Sequence, residues 1–188
     1  MEKNVPAERR PASAWRLLVG AAVAVLLSAA FAAACSPATD SPFGDDLTPA
    51  QRVAVAQVRD ATKPFQQIAA AKAAGYTAQY PAGCAESPAG VQGFHWLNEA
   101  LVDANVELLR PELLMYEPQA DGSMELIGVD YVVPFDAWTS NEAPTLLGMP
   151  FMRNVPLGVW ALHIWAWRPN PSGTFAMWNP NASCEHAH

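Results

Sequence analysis

With 188 residues, 51% hydrophobic and 15% charged, the chain has the material for one domain with a full core and is too apolar for a disordered protein. A formal net charge of −7 disfavours nucleic acid as a partner, since phosphate binding needs a basic face.

The first 34 residues stand apart. Lys3, Arg9, Arg10 and Arg16 form a basic start, and Leu17 to Ala34 carries no charge. Small residues then run into a cysteine in "LSAAFAAAC". This is the layout of a secretory signal over residues 1–34. The apolar run is also close to membrane-spanning length, which makes an uncleaved anchor the competing reading. "AAAC" resembles a bacterial lipobox, although Ala32 stands where leucine is usual, so Cys35 is expected to become the lipidated N-terminus, with simple secretion as the second reading and the uncleaved anchor as the third. The Arg9-Arg10 pair lacks the rest of a twin-arginine pattern. The expected location is extracytoplasmic, with the membrane as partner through the lipid. Without the leader the chain has seven Lys/Arg against sixteen Asp/Glu, a net of −9. Such a domain gains nothing from an anionic surface by its own charge.

Residues 35–47, "CSPATDSPFGDDL", are polar and rich in Pro, Ser and Asp, and they read as a flexible tether. A single domain is expected over 48–188. "TPAQ" gives an N-cap Thr48, Pro49 at the first helical position and Gln51 to complete a capping box. A second helix fits "PFQQIAAAKAAGY", with Gly75 as its stop. "YPAGCAESPAGVQG", residues 80–93, reads as a loop. "GFHWL" reads as a short strand, "NEALVDANVELL" as a short helix, and "ELLMYEP" and "MELIGVDYVVP" as a hairpin across "QADGS". Four prolines between 134 and 156 suggest an irregular loop. "LGVWALHIWAWR" is the longest expected strand, apolar on both faces and therefore central, and "TFAMWN" a last short one. Helices followed by closely connected strands predict an α+β domain, with N-terminal helices packed on a mainly antiparallel sheet.

Alternation along "VWALHIWAWR" places Val159, Ala161, His163, Trp165 and Trp167 on one face. A buried imidazole needs a partner and tends to be neutral, the form that binds metals or accepts a proton. His95 in "GFHWLNE" and Glu117 in "LLMYEP" are the other candidates. Two histidines and a carboxylate suit zinc, or iron where coordination positions stay open. Met149, Met152 and Met177 raise copper, and His186 and His188 form a loose terminal pair. No HExxH, CxxC, GxSxG or phosphate-loop pattern is present. With Cys35 lipidated, Cys84 and Cys184 remain as a candidate disulfide in an oxidising compartment.

Several segments taken together resemble an uncharacterised family of exported bacterial proteins: "AAGY", a following cysteine, "GFHWLN", "PELLMYEP", "ELIGVDYVVP", "LHIWAWRPNPSGTFAMWNP" and the final "SC". The likeness covers about Lys72 to Cys184 and departs at Trp96 for tyrosine, at Asp130 for glutamate and in "GVQG". It implies a shared fold and supplies no activity. The positions it picks out are Cys84, His95, Glu117, His163, Trp165, Asn179 and Cys184. Three functions follow from the residues. The first is a tethered domain binding a small ligand or a metal ion such as zinc, iron or copper, through His95, His163 and Glu117, in a pocket walled by Trp96, Trp165, Trp167 and Asn179. The second is an enzyme using His163 or His95 as general base. The third is a non-catalytic cell-envelope interaction domain.

Overall fold

The computed structural model describes residues 46–188. The expected signal segment 1–34, the expected lipidation site Cys35 and the expected tether up to residue 45 lie outside the described residues. At the end of the expected tether Leu47 is already buried in the core, and Asp46 accepts hydrogen bonds from the backbone and hydroxyl of Thr174.

Helix α1 (Pro49–Thr62) begins as its capping box dictates. The Thr48 hydroxyl accepts from the Gln51 amide, and the Gln51 side chain accepts from the Thr48 amide. Pro64 ends the regular ladder, and the chain passes through a 3-10 turn, Lys63–Gln66, into the six-residue helix α2 (Ile68–Ala73). The helical part is therefore smaller than two full helices.

Eight strands follow: β1 (Ala78–Ser87), β2 (Gly90–Leu97), β3 (Leu113–Pro118), β4 (Met124–Pro134), β5 (Thr145–Leu146), β6 (Met149–Pro150), β7 (Met152–Asn154) and β8 (Val159–Ile164). Six form one antiparallel sheet in the order β1-β2-β3-β4-β8-β7, and β5 pairs with β6 separately. The sheet curls: Tyr80 on the edge strand β1 donates from its hydroxyl to the Leu157 carbonyl, in the turn that joins the other edge strand, β7, to β8. One face carries Leu114, Tyr116, Val129, Tyr131, Leu162 and Ile164 and packs against Val55, Val58, Ala71 and Tyr76 from the helical segment. Polar ties reinforce that face. Tyr116 and Tyr76 donate to the carbonyls of Phe65 and Pro111, and the Trp167 indole donates to Thr62 Oγ1. The inner face carries Leu97, Leu113, Val132, Val159 and Ala161, with Val91, Met115, Ile127, Trp165 and Ala182 at one end.

Five expectations need correction. The irregular loop expected between 134 and 156 contains β5, β6 and β7, and β7 joins the main sheet. The expected loop 80–93 is most of the β1–β2 hairpin. Pro81 is tolerated because β1 is an edge strand, and Pro88 falls in the turn between β1 and β2. The expected helix in "NEALVDANVELL" is a single 3-10 turn, Glu99–Leu101, because Asn98 and Asp103 spend their side chains on local amides, those of Ala100 and Asn105. The strand at "LGVWALHIWAWR" stops at Ile164 and lies one place from the sheet edge, so β4 with eleven residues is the longest. "TFAMWN" forms no strand, and only Asn179 makes a bridge, to Val91.

Candidate metal centre

Three inner-face side chains converge. The β4–β8 register sets Asp130 directly opposite His163, and the β2–β3 and β3–β4 registers bring His95 alongside through Met115 and Leu113. One ligand atom from each of His95, Asp130 and His163 lies within 4.8 Å of the others. His163 Nε2 is 3.5 Å from Asp130 Oδ2, and the two imidazole rings are 5.7 Å apart between centroids. That 3.5 Å edge is close to the roughly 3.3 Å between ligands of a tetrahedral ion with bonds of about 2.0–2.1 Å.

Two irregularities shape the surroundings. Gln79 faces Trp96 while Cys84 faces Phe94, so the four residues Tyr80–Gly83 stand across from His95 alone. A bulge on β2 sets Gln92 outside the register between Val91 and Gly93. Gly93 has φ of +80°, and a Cβ there would fall 2.3 Å from the Tyr116 carbonyl oxygen, so only glycine fits. The bulge lets Gln92 face the same space as His95, three residues on, which strict alternation would forbid.

That space is a cavity of about 20 Å³, bordered by Tyr80, Gln92, Asn154 and Leu157 above a floor of Leu113, Val132, Val159 and Ala161. It accommodates one ion or one water. A site that encloses a small organic ligand needs several hundred Å³. The walls are largely aliphatic, not aromatic as expected.

The triad is buried and incompletely satisfied. His95, Asp130 and His163 are 2%, 5% and 4% exposed. Nδ1 of His95 and Oδ1 of Asp130 are buried without a hydrogen-bond partner. Burial pushes His95 down to about 4, against a small opposing effect of the Gly93 carbonyl. Burial and the neighbouring His95 push His163 down to about 3. Burial, with the nearby Glu112 carboxyl, holds Asp130 well above the usual carboxylate range. Both imidazoles are therefore neutral at pH 7, which is the ligating form.

No family model, curated protein or solved structure matches this chain.

The structure divides the sequence candidates. His95 and His163 meet as expected. Glu117 does not join them: its carboxylate accepts from the Ser183 amide at 2.6 Å and pairs with Arg168, which also reaches Glu125 at 3.1 Å. Asp130 fills the carboxylate role. It was legible as the single charged residue between Leu126 and Phe135, in a strand apolar on both faces, where an unpaired carboxylate is expensive. Trp165 lies beside His163, ring centroids 6.4 Å apart, and donates its indole N–H to the Ala176 carbonyl at 2.6 Å. Trp96 and Trp167 belong to the helical face, where Lys72 Nζ sits 4.3 Å from the Trp96 ring. Asn179 is fully buried and structural: its side chain donates to the Pro169 carbonyl and accepts from the Asn181 amide. Met149 and Met152 lie on β6 and β7 and Met177 beyond β8, so no one element presents them together. His186 and His188 border a separate cleft with Phe94 and Met124.

Glu112 is a second buried carboxyl outside the triad. It is 2% exposed and accepts from the Val132 amide at 3.2 Å. Burial pushes it up to about 8, against the pull of that amide. The folded protein thus keeps a proton, between about pH 4.5 and pH 8, that the unfolded chain has lost, and this group's contribution to stability falls as pH rises across the window. Glu112→Gln removes that dependence. Relative to wild type, the variant should gain stability from pH 5 to pH 8 by up to about 1.4 kcal/mol per unit. Thermal melts of both proteins at the two pH values read the difference, and parallel profiles would show that Glu112 is already charged.

Proposed function

We propose that this domain binds one divalent transition-metal ion through His95, Asp130 and His163, on the outer side of a membrane to which lipidated Cys35 anchors it. The observation that carries the reading is the convergence of three buried ligand-type side chains, two with unpartnered polar atoms, on a cavity of ion size. Buried polar groups are normally satisfied, and a metal ion held by the three side chains would supply a partner at this site. Two imidazoles and one carboxylate suit zinc, ferrous iron or copper; calcium and magnesium prefer oxygen ligands throughout. The cavity volume favours holding the ion over turning over an organic substrate at it.

The test is metal analysis of protein purified without an affinity tag. Wild type should carry about one equivalent, and a His186→Ala/His188→Ala variant the same. Equal metal content in wild type and His163→Ala would sink the reading. The anchoring has its own measurement. Intact mass of the membrane-fraction protein should show a mature chain beginning at lipid-bearing Cys35, and a start at any other residue rejects it. Among the described residues no helix is long and apolar enough to cross a membrane.

A further inference from the structure

We infer that the seam of the curled sheet, closed by Tyr80, is the gate through which the metal ion exchanges. The inference rests on the metal-binding reading and adds the route to the site. Three observations carry it. First, Tyr80–Gly83 stand opposite His95 without a register partner of their own, so this segment crosses the site as a strap and is not locked into the ladder. Second, Tyr80 and Pro81 line the cavity on one side and Leu157 and Asn154 on the other, so the two edges of the sheet meet over the ion position. Third, the hydrogen bond from the Tyr80 hydroxyl to the Leu157 carbonyl, 2.9 Å, joins those edges at the surface, where Tyr80 is 39% exposed. The remaining boundary is Gln92, whose side chain donates to the Met177 carbonyl, and the sheet floor of Leu113, Val132, Val159 and Ala161, which cannot part without breaking strand pairing.

The strap has a built-in pivot. Gly83 has φ of +85°, its amide donates to the Gln79 side chain, and nothing lies within 4 Å of where its Cβ would be, so it can turn in open space. Immediately after it, Cys84 is tied to Cys184. The disulfide fixes one end of the strap, and the Tyr80 hydroxyl is the releasable hold at the other. Opening requires loss of one hydrogen bond, a net cost of the order of 1 kcal/mol, with β1–β2 pairing intact on both sides.

Tyr80→Phe keeps the ring over the cavity and deletes the hold. The protein is loaded with Co²⁺, whose visible absorption reports the bound ion, and chased with excess EDTA. Release from Tyr80→Phe should be about fivefold faster than from wild type, the kinetic equivalent of one lost hydrogen bond. Uptake should accelerate in parallel, leaving the dissociation constant nearly unchanged. Equal release rates would overturn the gate. So would faster release with unchanged uptake, which would make Tyr80 a stabiliser of the bound ion and not of the closed seam. A second readout needs no metal. In metal-free protein, diethyl pyrocarbonate should modify His95 and His163 faster in Tyr80→Phe than in wild type, resolved from His186 and His188 by peptide mass. Unchanged modification overturns the gate whether or not Co²⁺ binds. Failure of wild type to bind Co²⁺, with accelerated modification in the variant, removes the metal reading and leaves the seam as an access route to the buried histidines.

Discussion

Asp130→Asn should cost the protein its metal while leaving its fold intact, and the two outcomes together distinguish a site from a core. Changes to groups that merely orient metal ligands cost about 10–100-fold in affinity, so loss of a direct charged ligand should exceed about 100-fold. In a titration with Zn²⁺, wild type should saturate near one equivalent and the variant should show no binding at micromolar metal. The thermal signature is equally specific. At a free metal concentration of about a hundred times the dissociation constant, binding stabilises the native state by about 2.7 kcal/mol. For a domain of this size that is a rise in Tm of roughly 5–10 °C. The rise should be present in wild type and absent in Asp130→Asn and His163→Ala.

The metal-free comparison excludes the alternative that the triad is a structural polar network. Such a network, fully satisfied, loses about 3–5 kcal/mol when one partner is removed, because the others are left buried and uncompensated. Here His95 Nδ1 and Asp130 Oδ1 already lack partners, and the His163–Asp130 contact is long at 3.5 Å. Asp130→Asn replaces a buried acid by an amide of similar volume at a site that leaves one of its oxygens without a partner. Its metal-free Tm should therefore match wild type within a few degrees or exceed it. A large loss of metal-free stability would assign the triad to architecture and remove the functional reading.

The legible parts of this fold are those in which local chemistry and long-range packing agree. Thr48, Pro49 and Gln51 specify a helix start by themselves. The β3–β4 hairpin is written in two apolar runs around a Gly-containing turn. Alternation in β8 puts His163 on a buried face. Parts decided by tertiary context were hidden. Residues 80–93 carry the Pro and Gly content of a loop, yet Cys84 to Ser87 pair with β2, which itself begins at Gly90, because an edge strand needs hydrogen bonds on one side only. Alternation places Trp167 on the face of His163 because nothing local shows where β8 ends. The end is set by Ile127, whose carbonyl accepts from both the Trp167 and Arg168 amides and turns the chain toward the helical side. Glu117 and Asp130 illustrate the same division at the site. Both are strand carboxylates among apolar neighbours, and only the register and the position of Arg168 decide which one is neutralised by a guanidinium and which faces two imidazoles. The pairing of Cys84 with Cys184, by contrast, was implied by count alone once Cys35 was set aside.

Removing that disulfide is expected to have the largest effect on stability of any two-residue change in the domain. Cys84 and Cys184 are 100 residues apart in sequence, and their Cα atoms are 5.9 Å apart in space. Closing a loop of that length limits the unfolded chain, and the loop-entropy relation gives about 4–5 kcal/mol. Local packing adds to it. Both sulfur-bearing side chains pack against the cluster of Val91, Met115, Ile127, Trp165 and Ala182 at one end of the inner face. The tail from Asn179 to Cys184 is held there by few other bonds, chiefly the Val91–Asn179 bridge and the Ser183 amide to Glu117. Cys84→Ala/Cys184→Ala should therefore lower the Tm by roughly 10–20 °C. In native, unreduced wild type neither cysteine should react with a thiol reagent. A fall equivalent to less than about 1 kcal/mol would mean that the unfolded chain is already compact around these residues, since the entropy term vanishes only when the two ends are close before folding. Because Met115 is the register partner of His95 and Trp165 lies beside His163, the same variant should also loosen the metal site. Its metal affinity should fall while Tyr80→Phe leaves affinity unchanged. That contrast separates the end of the strap that sets the geometry of the site from the end that opens it.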